Sequence, residues 1–409
     1  MLVDKLTGWK IVDRHNRLQL HQPTRTVRCQ AMRIWPPTVF KRCGTSTTIY
    51  HVAGSLIKRR TMSSANPSSA ARQEQLKAHI SAAPPPPRRL SDSHYKPKPQ
   101  PFHAFSSADN TWRAATPPKS FGATPGTGDR IRLLSWNIDV LIPFDKQRMT
   151  AALRYLESLV SQSSLRTIIF LQEMSEDNLK AIQSAPWVQK KFYITDLDAQ
   201  FWSSPIYGTT ILIDRKISIE KVFRVPWITE FDRDGLFVDL WVAFDRGITE
   251  ELGRMRLCNT HLESLVADPP IRPAQLEVAA KYLHEVQAGV VAGDMNAIQP
   301  FDRTLHSDNG LKDAYLELGG TEDSNMGYTW GYQSPEWMQK KFGPSRMDKV
   351  LYSGSLNAIS LRKFGAGVKV EDEQIARQMN DEGVGAWVTD HYGVMAELEV
   401  CGSILTPNI

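Results

Sequence analysis

The stretch Thr167-Ile168-Ile169-Phe170-Leu171-Gln172-Glu173 decides the fold. Its first five residues are apolar or β-branched with no alternation, so neither face can be given to water. Such a run reads as a strand buried on both faces, as in the centre of an α/β sheet. The run ends on polar residues, and the same pattern recurs four times. Ile131 to Ile138 carries Ser135-Trp136-Asn137-Ile138-Asp139 at its end, and Arg256 to Asn259 leads into Thr260-His261-Leu262-Glu263-Ser264. Val290-Val291-Ala292 precedes Gly293-Asp294-Met295-Asn296, and Thr389-Asp390-His391-Tyr392-Gly393 precedes an apolar run from Val394 to Val400. Asn, Glu, Asp and His side chains are thereby delivered to strand ends, which is how an α/β fold builds a metal-assisted hydrolytic site.

Between these runs lie helical patterns. Pro143 and Asp145 are start signals, and Met149, Leu153, Leu156 and Val160 follow at spacings of four, three and four, the apolar stripe of an amphipathic helix. A second helix is expected from about 273 to 286, with Leu276, Ala279, Ala280 and Leu283 on one face and Gly289 as its stop. Further strands are expected at 207–213, 236–244 and 350–352. Many strands with few helices, closing on a C-terminal strand, predict two packed sheets flanked by helices in one large domain.

Charge is unevenly distributed around that domain. Residues 1–100 hold 18 Lys and Arg against four Asp and Glu, whereas the remainder holds 31 against 40, so the overall +5 is a basic arm on a mildly acidic body. From about Thr61 to Gly128 the chain is dense in Ser, Ala and Pro, including Pro84 to Pro87 followed by Arg88-Arg89, and is expected to be an extended linker. The predicted division is a basic, largely disordered arm over 1–125 and a catalytic domain over 126–409. Cys29, Cys43, Cys258 and Cys401 show neither metal-ligand spacing nor a disulfide framework, which fits a reducing compartment. No apolar run reaches the roughly 20 residues of a membrane span, so a soluble protein is expected.

Phosphodiester hydrolysis needs a hard cation, a positioned water and groups that stabilise charge on the phosphoryl oxygens. Glu173, at the end of a buried run, suits a cation ligand; taken alone it could equally be a carboxylate that reaches solvent. Asn137 could ligate a metal or hold a phosphate, or simply mark a strand-to-turn junction. Asp294 and Asn296, two apart, face one side if extended and could activate and orient a water, although the same pair describes an Asx turn. Asp390-His391 joins an imidazole suited to a phosphoryl oxygen with a carboxylate that could tune a metal, and a core histidine is the plainer alternative.

The order and wording of these segments resemble the endonuclease/exonuclease/phosphatase superfamily. Leu171-Gln172-Glu173, Gly293-Asp294-Met295-Asn296 and Asp390-His391 are similar to marks shared across it, while Trp136-Asn137-Ile138-Asp139, His261-Leu262-Glu263-Ser264 and Tyr328-Thr329-Trp330 resemble its tyrosyl-DNA phosphodiesterase branch. The resemblance covers about residues 130 to 400. It implies a DNase I-like, four-layered α/β/β/α sandwich of two mixed sheets between helices. It also implies a phosphodiesterase dependent on Mg2+, for which Mn2+ can substitute, with Glu173, Asn137 and Asp390 at the metal. Asp294 would position the attacking water with Asn296 assisting, His391 would stabilise the transition state, Asp348 would orient His391, and His261 would contact the phosphate. Tyr207, Arg272 and Trp330 would line a groove for DNA. Met347-Asp348-Lys349 and Thr389-Asp390-His391-Tyr392 depart from the family's Phe-Asp-Arg and Ser-Asp-His-Trp, with the aspartates and the histidine kept.

The activity so implied is hydrolysis of 5′-phosphotyrosyl DNA, the adduct left by topoisomerase II, by a monomer acting on a single-stranded DNA end in the nucleus. Lys58-Arg59-Arg60 and Arg88-Arg89 would serve nuclear import, and the Arg-rich, acidic-poor start alternatively resembles a mitochondrial presequence. Alternatives within the resemblance are an apurinic endonuclease or exonuclease, a phosphoinositide phosphatase, or a catalytically silent binding protein on the same scaffold.

Overall fold

The computed structural model describes residues 68–82, 90–117, 124–245 and 250–402. Fifteen strands occur among them: β1 (Lys98–Gln100), β2 (Phe102–Ser106), β3 (Thr111–Ala115), β4 (Arg130–Asn137), β5 (Arg166–Met174), β6 (Phe192–Ile194), β7 (Gly208–Asp214), β8 (Ile219–Pro226), β9 (Asp234–Asp245), β10 (Glu250–His261), β11 (Ala288–Asp294), β12 (Lys312–Asp313), β13 (Asp348–Gly354), β14 (Leu356–Phe364) and β15 (Gly393–Val400). They form a seven-stranded sheet ordered β1-β8-β9-β10-β11-β13-β12 and an eight-stranded sheet ordered β14-β15-β4-β5-β7-β6-β2-β3. Four helices matter below: α1 (Ser69–Ala82), α2 (Asp145–Ser161), α3 (Glu176–Ser184) and α4 (Arg272–His284).

Each sheet is built around one parallel pair, β4 with β5 and β10 with β11, and its other neighbours run antiparallel. Parallel neighbours need a crossover, supplied by α2 in one sheet and α4 in the other. The expected four layers follow from which residues face where. Leu133, Ile168, Phe170 and Ile211 of one sheet pack with Val238, Leu240, Leu257 and Val290 of the other, making the central core. Met149, Leu153, Leu156 and Val160 of α2 cover Leu134, Trp136 and Ile169 on the outer face, and Leu276, Ala279, Ala280 and Leu283 of α4 cover Cys258, Val291 and Leu351. Leu133 and Leu134 thus point into different cores, which is why these strands show no alternation. Each fully buried Leu or Ile contributes roughly 1.5–3 kcal/mol.

Two expectations are corrected. Gly289 does not stop the second helix; α4 ends at His284 and Gly289 lies within β11, where a Cβ would meet Leu283 and Ser353 at 2.8 Å. The boundary at 125/126 also falls too late, because β1, β2 and β3 belong to the folded body. β1 pairs with β8 from Lys98↔Arg224 to Gln100↔Val222, and the β2–β3 hairpin joins β6. Pro99 is tolerated because β1 is an edge strand, where a missing donor breaks no ladder. The proline density that suggested a linker is here an edge. Residues 1–67, with the basic clusters of the predicted arm before α1, and Arg88-Arg89 lie outside the described residues. Among the described residues no helix is long and apolar enough to cross a membrane.

β1 is fixed by a buried charge. Arg224 pairs with Asp196 at 2.9 Å and Asp234 at 3.0 Å, and its Nε donates to Gln100 Oε1 at 2.8 Å. Gln100 in turn donates to Thr195 O at 3.0 Å. A chain beginning at residue 126 is therefore expected to lose an edge strand and a partner of a buried guanidinium. Thermal unfolding should place its midpoint at least about 2 °C below that of a chain beginning at residue 68, a shift of the size that about 1 kcal/mol or more produces in a domain this large; equal midpoints would show that β1–β3 are not integral.

Candidate active site

The two parallel pairs end side by side, and their carboxyl ends carry the polar residues. In open α/β sheets ligands bind at such ends. Asn137 closes β4, Glu173 is next to last in β5, His261 closes β10 and Asp294 closes β11. Gly293 makes the last pair possible: its φ is 142°, and a Cβ there would lie 1.8 Å from Thr260 O. The sheets are joined beneath the site by Gln172, which donates to Asn259 Oδ1 at 2.8 Å and Ser135 Oγ at 3.1 Å, while Asn259 donates back to Leu171 O at 3.1 Å.

Asp294 is the meeting point. Its Oδ2 accepts from Asn137 Nδ2 at 3.0 Å and lies 3.3 Å from His261 Nε2 and 3.7 Å from His391 Nε2; its Oδ1 accepts from the Asn296 amide at 2.8 Å. Burial raises the pKa of this carboxyl, opposed by His391. Asn296 holds Leu262 O with its side chain at 3.0 Å. Asp348 faces Asp294 across the β11–β13 register, and its Oδ2 lies 2.8 Å from His391 Nδ1.

The pKa values of the two histidines are pushed in opposite directions. His391 is buried, which works against its charge, but Asp348, Asp294 and Asp390 around it hold its pKa well above the ordinary range and favour the imidazolium, with Nδ1 on Asp348. His261 is pushed well below that range by burial, then by Arg233 and His391. Its Nδ1 faces Arg233 Nη1 at 2.6 Å, and since a guanidinium can only donate, this neutral ring carries its proton on Nε2, toward Asp294.

Glu173, Asp139 and Asp390 form the acidic side. Glu173 Oε2 accepts from the Val140 amide at 3.0 Å, and Oε1 lies 3.6 Å from His261. Burial, then Asp390 and Glu173, drives the Asp139 carboxyl well above the usual carboxylate pKa. Asp390 Oδ2 accepts from Trp330 Nε1 at 2.6 Å. Among the described residues no three or more His, Cys, Asp or Glu are placed to hold an ion by themselves. Magnesium asks for less, one or two carboxylates and water, and repelling oxygen donors are what such a cation neutralises. Glu173 and Asp390 fit it, and the Asn137 oxygen, which accepts from the Asp139 amide at 2.9 Å, keeps a second lone pair for it.

Backbone strain gathers here too. Seven non-glycine residues among those described have positive φ, and six of them, Asp139, Phe144, Glu173, Asp232, Leu265 and Asn296, lie in the segments around the site. Such conformations persist only where surroundings over-determine them. Arg148 is such a surrounding for Asp139 and Phe144. Fully buried, it donates to Pro143 O, Ile138 O, Val388 O, Asp139 O and Ile142 O at 2.6–2.9 Å, using all five guanidinium protons on the loops that carry Asp139 and Asp390.

The expected site residues thus divide. Asn137, Glu173, His261, Asp294, Asn296, Asp348, Asp390 and His391 come together. The three expected groove residues are all buried, and of them Tyr207 lines the cleft beside Glu173 and His261. Arg272 is buried; it pairs with Asp302 at 2.7 Å and donates to Glu263 O and Leu265 O, so its charge holds the loop after β10. Tyr207 is buried with its hydroxyl on Phe231 O, and Trp330 is buried against Asp390. Glu263 of the His-Leu-Glu-Ser segment accepts from Thr229, Gln275 and the Glu230 amide, a structural bracket. Arg233, which the sequence reading passed over, enters the site: it lies 4.8 Å over the Tyr207 ring and lines a cleft with Glu173, Tyr207, Asp232 and His261. Its only signal is a cation at the mouth of a buried strand.

The fold and this constellation define a class, and the profile of the Endonuclease/Exonuclease/phosphatase family matches residues 134–391. The chain belongs to that family. Among solved structures, truncated TDP2 from Caenorhabditis elegans shares 22% identity over 67% of this chain and 99% of its own, with a TM-score of 0.50. TDP2 from D. rerio complexed with single strand DNA product shares 17% over 66% of this chain and 99% of its own, also at 0.50. At these identities the likeness is one of fold. No curated protein matches the chain.

Replacing Arg272 by Met separates a structural arginine from a DNA-contacting one. It leaves Asp302 buried without its partner, so urea unfolding should show a loss of about 3–5 kcal/mol. Affinity for a single-stranded oligonucleotide should stay within about twofold of wild type, as expected of a charge sequestered from solvent; a tenfold weaker complex with unchanged stability would restore the DNA role.

Proposed function

We propose that this protein is a Mg2+-dependent phosphodiesterase that hydrolyses the bond between a tyrosine side chain and a DNA 5′-phosphate, releasing a 5′-phosphate end. The observation that carries the reading is the convergence on Asp294 of Asn137, neutral His261 and charged His391 beside the Glu173–Asp390 carboxylates. A charged donor and two neutral donors within 4 Å of one buried carboxylate oxygen suit an anion that gains charge in its transition state. The Trp136-Asn137-Ile138-Asp139 wording supports the tyrosyl-DNA branch, as does the fold shared with a TDP2 that binds a single strand DNA product.

When bound at Glu173 and Asp390, Mg2+ would supply charge neutralisation at the phosphoryl oxygens. Asp294, its pKa raised by burial, is a better proton acceptor than an exposed carboxylate and is held in place by Asn137 and by the Asn296 amide. Water deprotonated there attacks phosphorus opposite the tyrosyl oxygen; the new P–O bond forms as the P–O(tyrosyl) bond breaks, and the pair leaves on the phenolic oxygen. A phenol with pKa near 10 leaves readily, so the leaving group asks little of a general acid. His391, fixed by Asp348, donates Nε2–H to a non-bridging oxygen, and His261 donates Nε2–H from the other side. DNA repair, with location in the nucleus, is the proposed role.

A panel of 5′-tyrosyl oligonucleotide, abasic duplex and inositol polyphosphate, each with Mg2+, tests the substrate. The tyrosyl oligonucleotide should turn over at least about 100-fold faster than the others. Asp294→Asn and His391→Gln should each lower kcat by about 10²–10⁴ while circular dichroism shows an intact fold. Preferred hydrolysis of another panel member, or full activity of Asp294→Asn, would reject the assignment.

A further inference from the structure

Helix α1 is fastened at three places to segments distant in sequence, and two of these frame the catalytic carboxylate. Arg72 Nη1 donates to Val140 O at 3.0 Å and pairs with Asp145 at 2.6 Å; the amide of the same Val140 holds Glu173. At its other end His79 Nε2 lies 2.5 Å from Asp232 Oδ2, and Asp232 lines the cleft shared by Glu173, Arg233 and His261. The Ser69 amide reaches Glu382 at 3.4 Å. Arg72 and His79 are seven residues apart, about 10 Å along a helix, so α1 runs from the loop whose Val140 amide holds Glu173 to Asp232 in the cleft lining.

One face is turned to the body. Arg72, Leu76, His79 and Ile80 are partly buried and recur at helical spacing, while Gln73, Glu74 and Gln75 are exposed. No described side chain of α1 is fully buried, and the His79–Asp232 pair is about one-third exposed at each partner. The Arg72–Asp145 pair is its one well-buried tie; beyond it, a 14-residue helix without a buried apolar stripe, whose other end is held by a partly exposed pair, is weakly fastened.

We propose that α1 is a displaceable strap across the catalytic cleft. In the closed state it occupies the passage between the Val140 and Asp232 lips, and a polynucleotide whose phosphate is to reach Glu173 and His391 must lift it. The strap makes the resting enzyme latent toward long strands. This rests on the reading of the cleft as a polynucleotide site.

The test uses the full chain and a 3′-labelled 12-nucleotide single strand with a 5′-phosphate. His79→Ala, which leaves Asp145 and its bond to Arg148 untouched, should bind the strand at least threefold more tightly than wild type by anisotropy. Arg72→Ala/His79→Ala should bind at least tenfold more tightly. Adding the strand to wild type should accelerate hydrogen exchange of amides 69–82. Unchanged or weaker binding by both variants, binding by none of the proteins, or slower exchange of 69–82 with the strand present would overturn the strap. If the affinity differences stand but none of the proteins turns over the 5′-tyrosyl oligonucleotide, the substrate assignment falls and the strap stands.

Discussion

The site depends on one buried guanidinium. Arg148 sits in the first turn of α2 and reaches back to carbonyls of 138–143 and across to Val388. Each of those carbonyls would otherwise be a polar group in a dry interior, and leaving one unmet costs about 1–3 kcal/mol. The same five bonds tie the end of β4 to the segment before His391, two pieces of chain about 250 residues apart in sequence. Asp145 supports the arrangement with contacts to Arg148, Arg72 and Ser175. An acidic site is thus built around a cation that never touches the cleft.

That arrangement explains how so many acids coexist. Asp139, Glu173, Asp294, Asp348 and Asp390 lie within one small volume, and their repulsion is answered by Arg148 behind, Arg233 at the side and His391 in the middle. The remaining imbalance falls on Asp139, Glu173 and Asp390, where a hard cation would complete it. Electrostatics also assigns the histidines: carboxylates surround His391, whereas a guanidinium faces His261. Two residues of one type therefore present different environments to one carboxylate, Asp294.

Much of this was legible in sequence because the constraints were local. A run such as Ile168-Ile169-Phe170-Leu171 has no solvent face, so its strand, its burial and the polar residue at its end follow together. Met149, Leu153, Leu156 and Val160 specify α2 by spacing alone. Where partners lie far away the reading failed. Arg272 and Arg233 look equivalent as isolated cations, yet Asp302 claims the first and His261 the second. β1 is three residues with a proline, recognisable only through Arg224 beside it, and α1 carries no apolar stripe that would announce it. The family wording pointed to the residues that converge at the strand ends; the tertiary structure shows what holds them.

The most direct test of the account is hydrogen exchange on Arg148→Lys, which keeps the charge and removes the fork of donors. Amides of 138–145 and 388–391 should exchange at least tenfold faster together, while those of β4, β5, β10 and β11 keep wild-type protection. Wild-type protection of both loops in this variant would contradict the claim that Arg148 holds the site together.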